Sequence, residues 1–409
     1  MDVFHTVAEN ENTIRVVDMH TSGEPTRIIV SGYPDLQGDT LLEKRRCARE
    51  HHDHIRRLYA VTSLPISVHS LILGPLGMNS LMLEPRGHDG MYGVILVQET
   101  ELTRSGEADI GVLFCHNEGY STMCGHATVA LGRFLIDTSD KTLFPNRNTL
   151  HPDNDMNTIH LKLHAPCGLI RVSVPITDGG KSDPTKPISF HSVPSFVTTK
   201  SIDLVISKEL AWPQLDPAGT FPVSVAYGGA FYIIVSAQSL GFSDGLRSSG
   251  SGSGVKDIAY AAEKVETLMN TAHRELFVHP REKDLGFCYG VMVVDKSLKA
   301  HSSESETGLC FFAGGQIDRS PTGSCVSARV ALAIEEGTLR MGEWWTYESA
   351  VSVTSEGNGF RGRGVERVEE GVVVQIEGRA FYTGCSSFEM PEDCDVIGTG
   401  FKLVLPAKN

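Results

Sequence analysis

The feature that most constrains this chain is an internal repeat. Residues Met123-Cys124-Gly125-His126-Ala127-Thr128-Val129-Ala130 recur in kind as Pro321-Thr322-Gly323-Ser324-Cys325-Val326-Ser327-Ala328, with positions 124 and 322 lying 198 residues apart. In each copy a small sulfur- or oxygen-bearing side chain precedes a glycine and an apolar run with helical spacing. Ala127, Ala130, Leu131, Phe134 and Leu135 keep the i, i+3, i+4, i+7, i+8 rhythm after Cys124, and Val129 and Ile136 fill the other side. Val326, Ala328, Val330, Ala331, Leu332 and Ile334 follow Thr322 in the same way, and Gly337 is a natural stop. Helices apolar on nearly every side are buried, so two buried helices are predicted to begin at Cys124 and Thr322.

The repeat extends well upstream of both helices. Thr13 to His20 and Arg27 to Val30 read as two strands joined by a turn with Gly and Pro. Phe221 to Tyr227 and Phe231 to Val235 repeat that pattern at about the same distance before Thr322. With 409 residues the chain can hold two cores. The expected division is 12–212 and 213–380, with a C-terminal segment of about 380–409 packing back onto the first domain. Asp39 to Leu58 reads as an exposed helix, and its His51-His52-Asp53-His54 run as a solvated face and not a metal site. Ser243 to Gly254 reads as a surface loop, and residues 255–274 as a helix.

Charge narrows the class of partner. Fifty acidic residues against 36 basic ones give a formal charge of −14, without the clustered Lys and Arg that nucleic acid or an anionic membrane requires. A small-molecule partner is expected, with no nucleic acid and no membrane. The start of the chain lacks a basic segment followed by an apolar core, and no run approaches 18 apolar residues, so a cytoplasmic location is expected. Nine cysteines without a Cys-x-x-Cys pair point to reduced thiols.

The repeated segments also carry chemistry. The first amides of a helix lack internal acceptors and the helix dipole adds positive potential there, so two such tips facing inward suit a carboxylate. Gly125 and Gly323 lack a Cβ and so would let a ligand approach the backbone. Cys124 at a helix N-terminus is expected to have its pKa lowered from about 8.5, towards a reactive thiolate. Thr322 is an alcohol and cannot trade protons with a carbanion as a thiol can.

Several separated motifs together resemble the proline racemase family. They are Asp18-Met19-His20-Thr21-Ser22-Gly23-Glu24-Pro25, Leu83-Glu84-Pro85-Arg86-Gly87-His88 with Met91-Tyr92-Gly93, His116 to His126, Asp318 to Ser324, and Gly378 to Gly384. The resemblance spans about residues 13–405. It implies an α/β (α+β) fold of the diaminopimelate-epimerase-like type, in which two pseudo-symmetric domains each curve a sheet around a central helix. The active site then lies in the cleft between them, and no cofactor or metal is needed. Family racemases carry a Cys at both helix starts, whereas Asp318-Arg319-Ser320-Pro321-Thr322-Gly323 is similar to the family's dehydratase branch.

That branch implies a hydro-lyase converting trans-3-hydroxy-L-proline to Δ1-pyrroline-2-carboxylate. By the same resemblance Cys124 is the base that removes the α-proton. The amides of Gly125, His126, Gly323 and Ser324 hold the substrate carboxylate, Asp318 pairs with the ring ammonium, and Thr322 hydrogen-bonds the substrate. The proton donor to the leaving hydroxyl is left unassigned. The alternatives are a proline racemase or 4-hydroxyproline epimerase, which Thr322 argues against, and a non-catalytic imino-acid binder, which Cys124 and Asp318 argue against. Cys325 stands where the dehydratases usually have glycine; one helical turn from the tip, it is expected to serve packing and not as a second base. The sequence admits a homodimer.

Overall fold

The computed structural model describes residues 13–56, 81–153, 156–250, 252–299 and 301–389. Its first half contributes β1 (Ile14–Thr21), β2 (Glu24–Ser31), β3 (Tyr92–Val97), β4 (Ile110–His116), β5 (Tyr120–Ser121), β6 (Thr158–Ala165), β7 (Gly168–Pro175), β8 (Ile188–His191) and β9 (Phe196–Val205). The second contributes β10 (Thr220–Tyr227), β11 (Phe231–Ser236), β12 (Cys288–Asp295), β13 (Ser305–Phe312), β14 (Gln316–Ile317), β15 (Trp345–Glu348), β16 (Phe360–Val368), β17 (Gly371–Gly378) and β18 (Ala380–Phe388). Four longer helices are α1 (Leu41–His51), α2 (Gly125–Asp137), α3 (Gly252–Ala272) and α4 (Gly323–Glu335).

The pairings show how deep the repeat runs. β1 and β2 form an antiparallel hairpin, as do β10 and β11. β2 then runs parallel to β3 across a connection holding α1, and β11 runs parallel to β12 across α3. Antiparallel β3–β4 and parallel β4–β6 recur as β12–β13 and β13–β15. A parallel step needs a crossover, so each half repeats a hairpin followed by a crossover.

The last strand of each half completes the other half's sheet. β9 lies before the expected boundary at 212, yet it pairs with β10; β18 pairs with β1 along its whole length. β8 pairs with both β7 and β17, which joins the two curved sheets into one. The central helices sit inside these wraps. α2 packs on β1, β2, β7, β8 and β18, while α4 packs on β9, β10, β11, β16 and β17.

Local sequence explains the element ends. The β1–β2 turn places Ser22 and Gly23 at φ 52° and 86°, the left-handed pair that a tight hairpin demands. Thr40 caps α1: its hydroxyl accepts from the Glu43 amide while the Glu43 carboxylate accepts from the Thr40 amide, a reciprocal box. The predicted helix over 39–58 is α1 followed by a single turn, Asp53–Arg56; residues 57 and 58 fall outside the described part. The Ser/Gly tract departs from expectation, because a 3-10 turn forms at Gly245–Gly250 and α3 already starts at Gly252. The Leu246 amide in that tract donates to Asp295, so a buried carboxylate organises what composition marks as loop.

Candidate active site

The two central helices meet tip to tip. A Cβ on Gly125 would stand 2.5 Å from the Gly323 Cα, and one on Gly323 would stand 2.8 Å from the Gly125 Cα. These glycines are therefore needed for the helices to touch, a constraint separate from any approach by a ligand. Each tip is braced by its own hairpin. The Thr21 hydroxyl donates to the His126 carbonyl at 2.9 Å, and a Cβ on Gly228 would lie 2.1 Å from the Ser324 carbonyl oxygen.

Cys124, His126, Asp318, Thr322 and Ser324 are all buried at this junction. Cys124 is the N-cap of α2: its backbone is extended, and its sulfur accepts the Ala127 amide at 3.4 Å. The His126 ring lies beside it, with Nδ1 3.3 Å and Nε2 3.5 Å from the sulfur. The Pro25 carbonyl accepts a hydrogen bond from that same ring. Burial lowers the His126 pKa, with Asp318 and the Pro25 bond opposing, so the imidazole is held neutral.

The thiol does not follow the helix-tip rule. Burial pushes Cys124 well above the usual thiol value; the Ala127 amide and the Tyr92 hydroxyl pull it down, while Asp318 and Glu24 push it further up. Desolvation of a thiolate in a closed pocket outweighs the amides of one helix end. The expected lowering is therefore opposed chiefly by burial, with Asp318 and Glu24 adding to it.

Thr322 is built differently. It sits at φ 62°, ψ 83°, a left-handed conformation that is rare for a β-branched residue, and it makes no side-chain cap on α4. Its hydroxyl donates to Asp318 Oδ2 at 2.8 Å, and its amide donates to the Ser320 hydroxyl at 3.2 Å. Asp318 Oδ1 accepts the Ser320 amide at 2.8 Å, so one carboxylate organises the whole turn before α4. The Cys310 thiol also hydrogen-bonds the Thr322 side chain.

Ser324 and Cys325 face away from the junction. The Ser324 hydroxyl pairs with the Tyr232 hydroxyl at 2.7 Å, which leaves its amide as the group available to a ligand. Cys325 is fully buried in a cluster with Tyr232, Met292, Cys310 and Ala328, where burial raises its thiol pKa. It packs the core and does not rebuild a second base at the tip. The amides of Gly125, His126, Gly323 and Ser324 are at the first positions of two helices whose tips touch, where a helix has no internal acceptor for them.

The structure adds residues that were quoted in motifs but given no role. Tyr92 packs edge-on against His126, with ring centroids 4.8 Å apart. Its hydroxyl bonds Ser121 and, at 3.3 Å, the Tyr289 hydroxyl, and it pulls the nearby Cys124 thiol pKa down. Tyr289 stacks on Phe312 and meets the edge of His116, which completes an aromatic wall. Glu24 is 1% exposed; its Oε2 accepts the Arg319 amide at 2.7 Å and the Arg319 guanidinium at 3.2 Å. Its Oε1 has no hydrogen-bond partner among the described residues. Burial, with Asp318 beside it, raises the Glu24 pKa well above the carboxyl range. The signal for both residues lay in Met91-Tyr92-Gly93 and Gly23-Glu24-Pro25.

Among the described residues no helix is long and apolar enough to cross a membrane. Comparison with known proteins gives the same picture along the chain. Trans-3-hydroxy-L-proline dehydratase of Homo sapiens is 38% identical over 394 residues, covering 95% of this chain and 94% of that protein. The enzyme of that name from Bacillus thuringiensis subsp. konkukian is 32% identical over 393 residues, covering 95% and 97%. Among solved structures, a probable proline racemase from Agrobacterium radiobacter with bound carbonate superposes with a TM-score of 0.72 at 21% identity, covering 96% of this chain and 97% of that one. A hydroxyproline epimerase from Agrobacterium vitis with bound trans-4-hydroxy-L-proline gives 0.71 at 19%, covering 96% of each. The fold is the diaminopimelate-epimerase-like α/β fold. The proline racemase profile matches residues 16–63 and 78–402, most of the chain. The chain belongs to the proline racemase family.

Proposed function

We propose that this protein is a hydro-lyase that dehydrates trans-3-hydroxy-L-proline to Δ1-pyrroline-2-carboxylate, with Cys124 as the base. One observation carries the reading: of the two helix N-caps that face each other, one is the Cys124 thiol and the other is the Thr322 hydroxyl, which is committed to Asp318. A one-base site can remove the α-proton but cannot return it to the other face. With a hydroxyl at C3, loss of that group is the outlet. The names of the relatives at 38% and 32% identity support the same substrate.

The roles follow from the geometry. The substrate carboxylate binds the amides of Gly125, His126, Gly323 and Ser324, and the ring ammonium pairs with Asp318. Burial chiefly holds the Cys124 thiol up; the incoming cation cancels the smaller contribution of Asp318 and so favours thiolate formation. His126 takes the thiol proton, because its ring lies against the sulfur, with Nδ1 at 3.3 Å and Nε2 at 3.5 Å. The carbanion at Cα is stabilised by the two helix tips through the carboxylate.

The reading brings with it a small imino acid as partner, no nucleic acid, a cytoplasmic location and a homodimer as the assembly to test by sedimentation. For the two halves we propose a division near residue 195 with exchange of β9 and β18. The activity test is incubation with trans-3-hydroxy-L-proline and trapping of the cyclic imine with o-aminobenzaldehyde. A yellow adduct is the expected result. No adduct, with L-proline losing optical rotation instead, would replace this reading by racemase.

A further inference from the structure

The stereochemistry of the proposed substrate bears on the one role left open, the donor of a proton to the leaving hydroxyl. In trans-3-hydroxy-L-proline the C3 hydroxyl and the C2 carboxylate lie on opposite faces of the ring. At C2 the hydrogen is on the face opposite the carboxylate. The α-hydrogen and the hydroxyl therefore share a face. Whatever group takes that hydrogen stands on the side from which the hydroxyl leaves, so the acid belongs beside Cys124 and not at Thr322.

The two sides differ in what they offer. At the opposite tip the Thr322 hydroxyl proton is held by Asp318 Oδ2 at 2.8 Å. Beside Cys124 there are two candidates. His126 has its ring nitrogens engaged by the sulfur and by the Pro25 carbonyl. Tyr92 packs edge-on against the His126 ring at 4.8 Å, the same ring whose Nδ1 lies 3.3 Å from the sulfur, so its hydroxyl stands close enough to the thiol to pull the thiol pKa down; that hydroxyl is itself backed by Ser121 and by Tyr289 at 3.3 Å.

We propose that Tyr92 is the proton donor to the departing hydroxyl, and that dehydration is an elimination across one face of the ring. The inference rests on the dehydratase reading with Cys124 as base. Every atom is accounted for within the site. The Cys124 thiolate takes the C2 proton, the freed electron pair forms the C2–C3 double bond, and the C3–O bond breaks. The Tyr92 hydroxyl gives its proton to the leaving oxygen, making water, and the phenolate regains a proton from the Cys124 thiol beside it. Thiolate and phenol are restored, and the α-proton replaces the one that left in the water. The enamine then tautomerises to the imine. Hydroxide is a far stronger base than phenolate, so a phenol can protonate the leaving oxygen. Burial raises the pKa of both Tyr92 and Tyr289, so the phenol holds its proton until a base of that strength forms.

The test separates proton removal from loss of water. In heavy water, deuterium uptake at C2 of L-proline reports the base alone, and imine formation from trans-3-hydroxy-L-proline reports both steps. In Tyr92→Phe, imine formation is expected to fall at least about 100-fold. Deuterium uptake should fall about tenfold at most, the effect of one neighbouring hydroxyl on the thiol. The intact protein gives an independent check with cis-3-hydroxy-L-proline, whose hydroxyl lies on the face away from Cys124: it should take up deuterium at C2 without giving imine. Equal losses of both activities in Tyr92→Phe, or imine from the cis isomer at the rate of the trans, would overturn the proposal. Failure of the intact protein to form imine from the trans isomer would instead remove the dehydratase reading and this inference with it.

Discussion

The two helix tips are repeats of one another, and their N-caps have opposite designs. α2 and α4 each span 13 residues, both are buried, and their first glycines touch. Cys124 is extended at φ −143° and turns its sulfur back onto its own helix, accepting the Ala127 amide. Thr322 is left-handed at φ 62°, caps nothing, and turns its hydroxyl onto Asp318. The difference between the halves is therefore more than a thiol exchanged for an alcohol. On the proposed reading, one cap receives a proton, while the other is spent on positioning the carboxylate that meets the substrate cation.

The comparison breaks most sharply at its reactive member. Cys124→Ser keeps a cap acceptor for Ala127 but replaces the thiol with a group that cannot serve as base near neutrality, so imine formation and C2 deuterium uptake should both drop about 1000-fold or more. Retained deuterium uptake would mean that a different group removes the α-proton. Thr322→Cys tests the other member, with a smaller effect. The left-handed backbone and the Asp318 contact do not recreate the extended geometry of Cys124, so the new thiol is a poor copy of the first. Dehydration should fall about tenfold, with slow loss of optical rotation from L-proline as the second thiol gains access to the opposite face. Rotation lost as fast as imine forms in the unaltered protein would show that side-chain chemistry alone separates the two tips.

Much of this contrast was legible in the sequence, and the rest was not, for physical reasons. The helix starts at Cys124 and Thr322 were visible because glycine and a run of buried residues mark them locally. The hairpins over 13–30 and 221–236 were visible through their glycine turns. Thr322's backbone was hidden because local propensity points away from it; contacts from Asp318 and Ser320 hold it there. The acidity of Cys124 was misjudged because the helix-end rule is local, whereas burial comes from both halves closing over the thiol. Tyr92 lies at the start of β3, in a strand buried almost throughout, where no alternation shows which residues face the site. The pairing of β9 with β10 leaves no periodic trace, since either sheet would satisfy the same strand.

Glu24 links the two tips, and the smallest predicted effect concerns it. It lies just past the turn of the β1–β2 hairpin that braces α2, yet its carboxyl holds Arg319 of the turn before α4. Its pKa in the folded protein is raised, by burial first and by Asp318 second. A carboxyl raised in the folded state contributes its full stability below its unfolded pKa, and loses that contribution as pH climbs towards the folded pKa. Over that window the unfolded chain releases a proton that the folded chain keeps, a cost of up to about 1.4 kcal/mol per pH unit. Glu24→Gln has no such proton. At pH 5 the variant should melt at or below the temperature of the unaltered protein, because its amide NH2 is buried where Oε1 has no partner and carries one more donor hydrogen than the neutral carboxyl. Between pH 5 and pH 7.5 the unaltered protein should lose more melting temperature than the variant, closing or reversing the gap. Parallel melting curves across that range, measured by circular dichroism, would mean that Glu24 is ionised in the folded protein, and that the two tips are joined by an ion pair and not by a neutral acid.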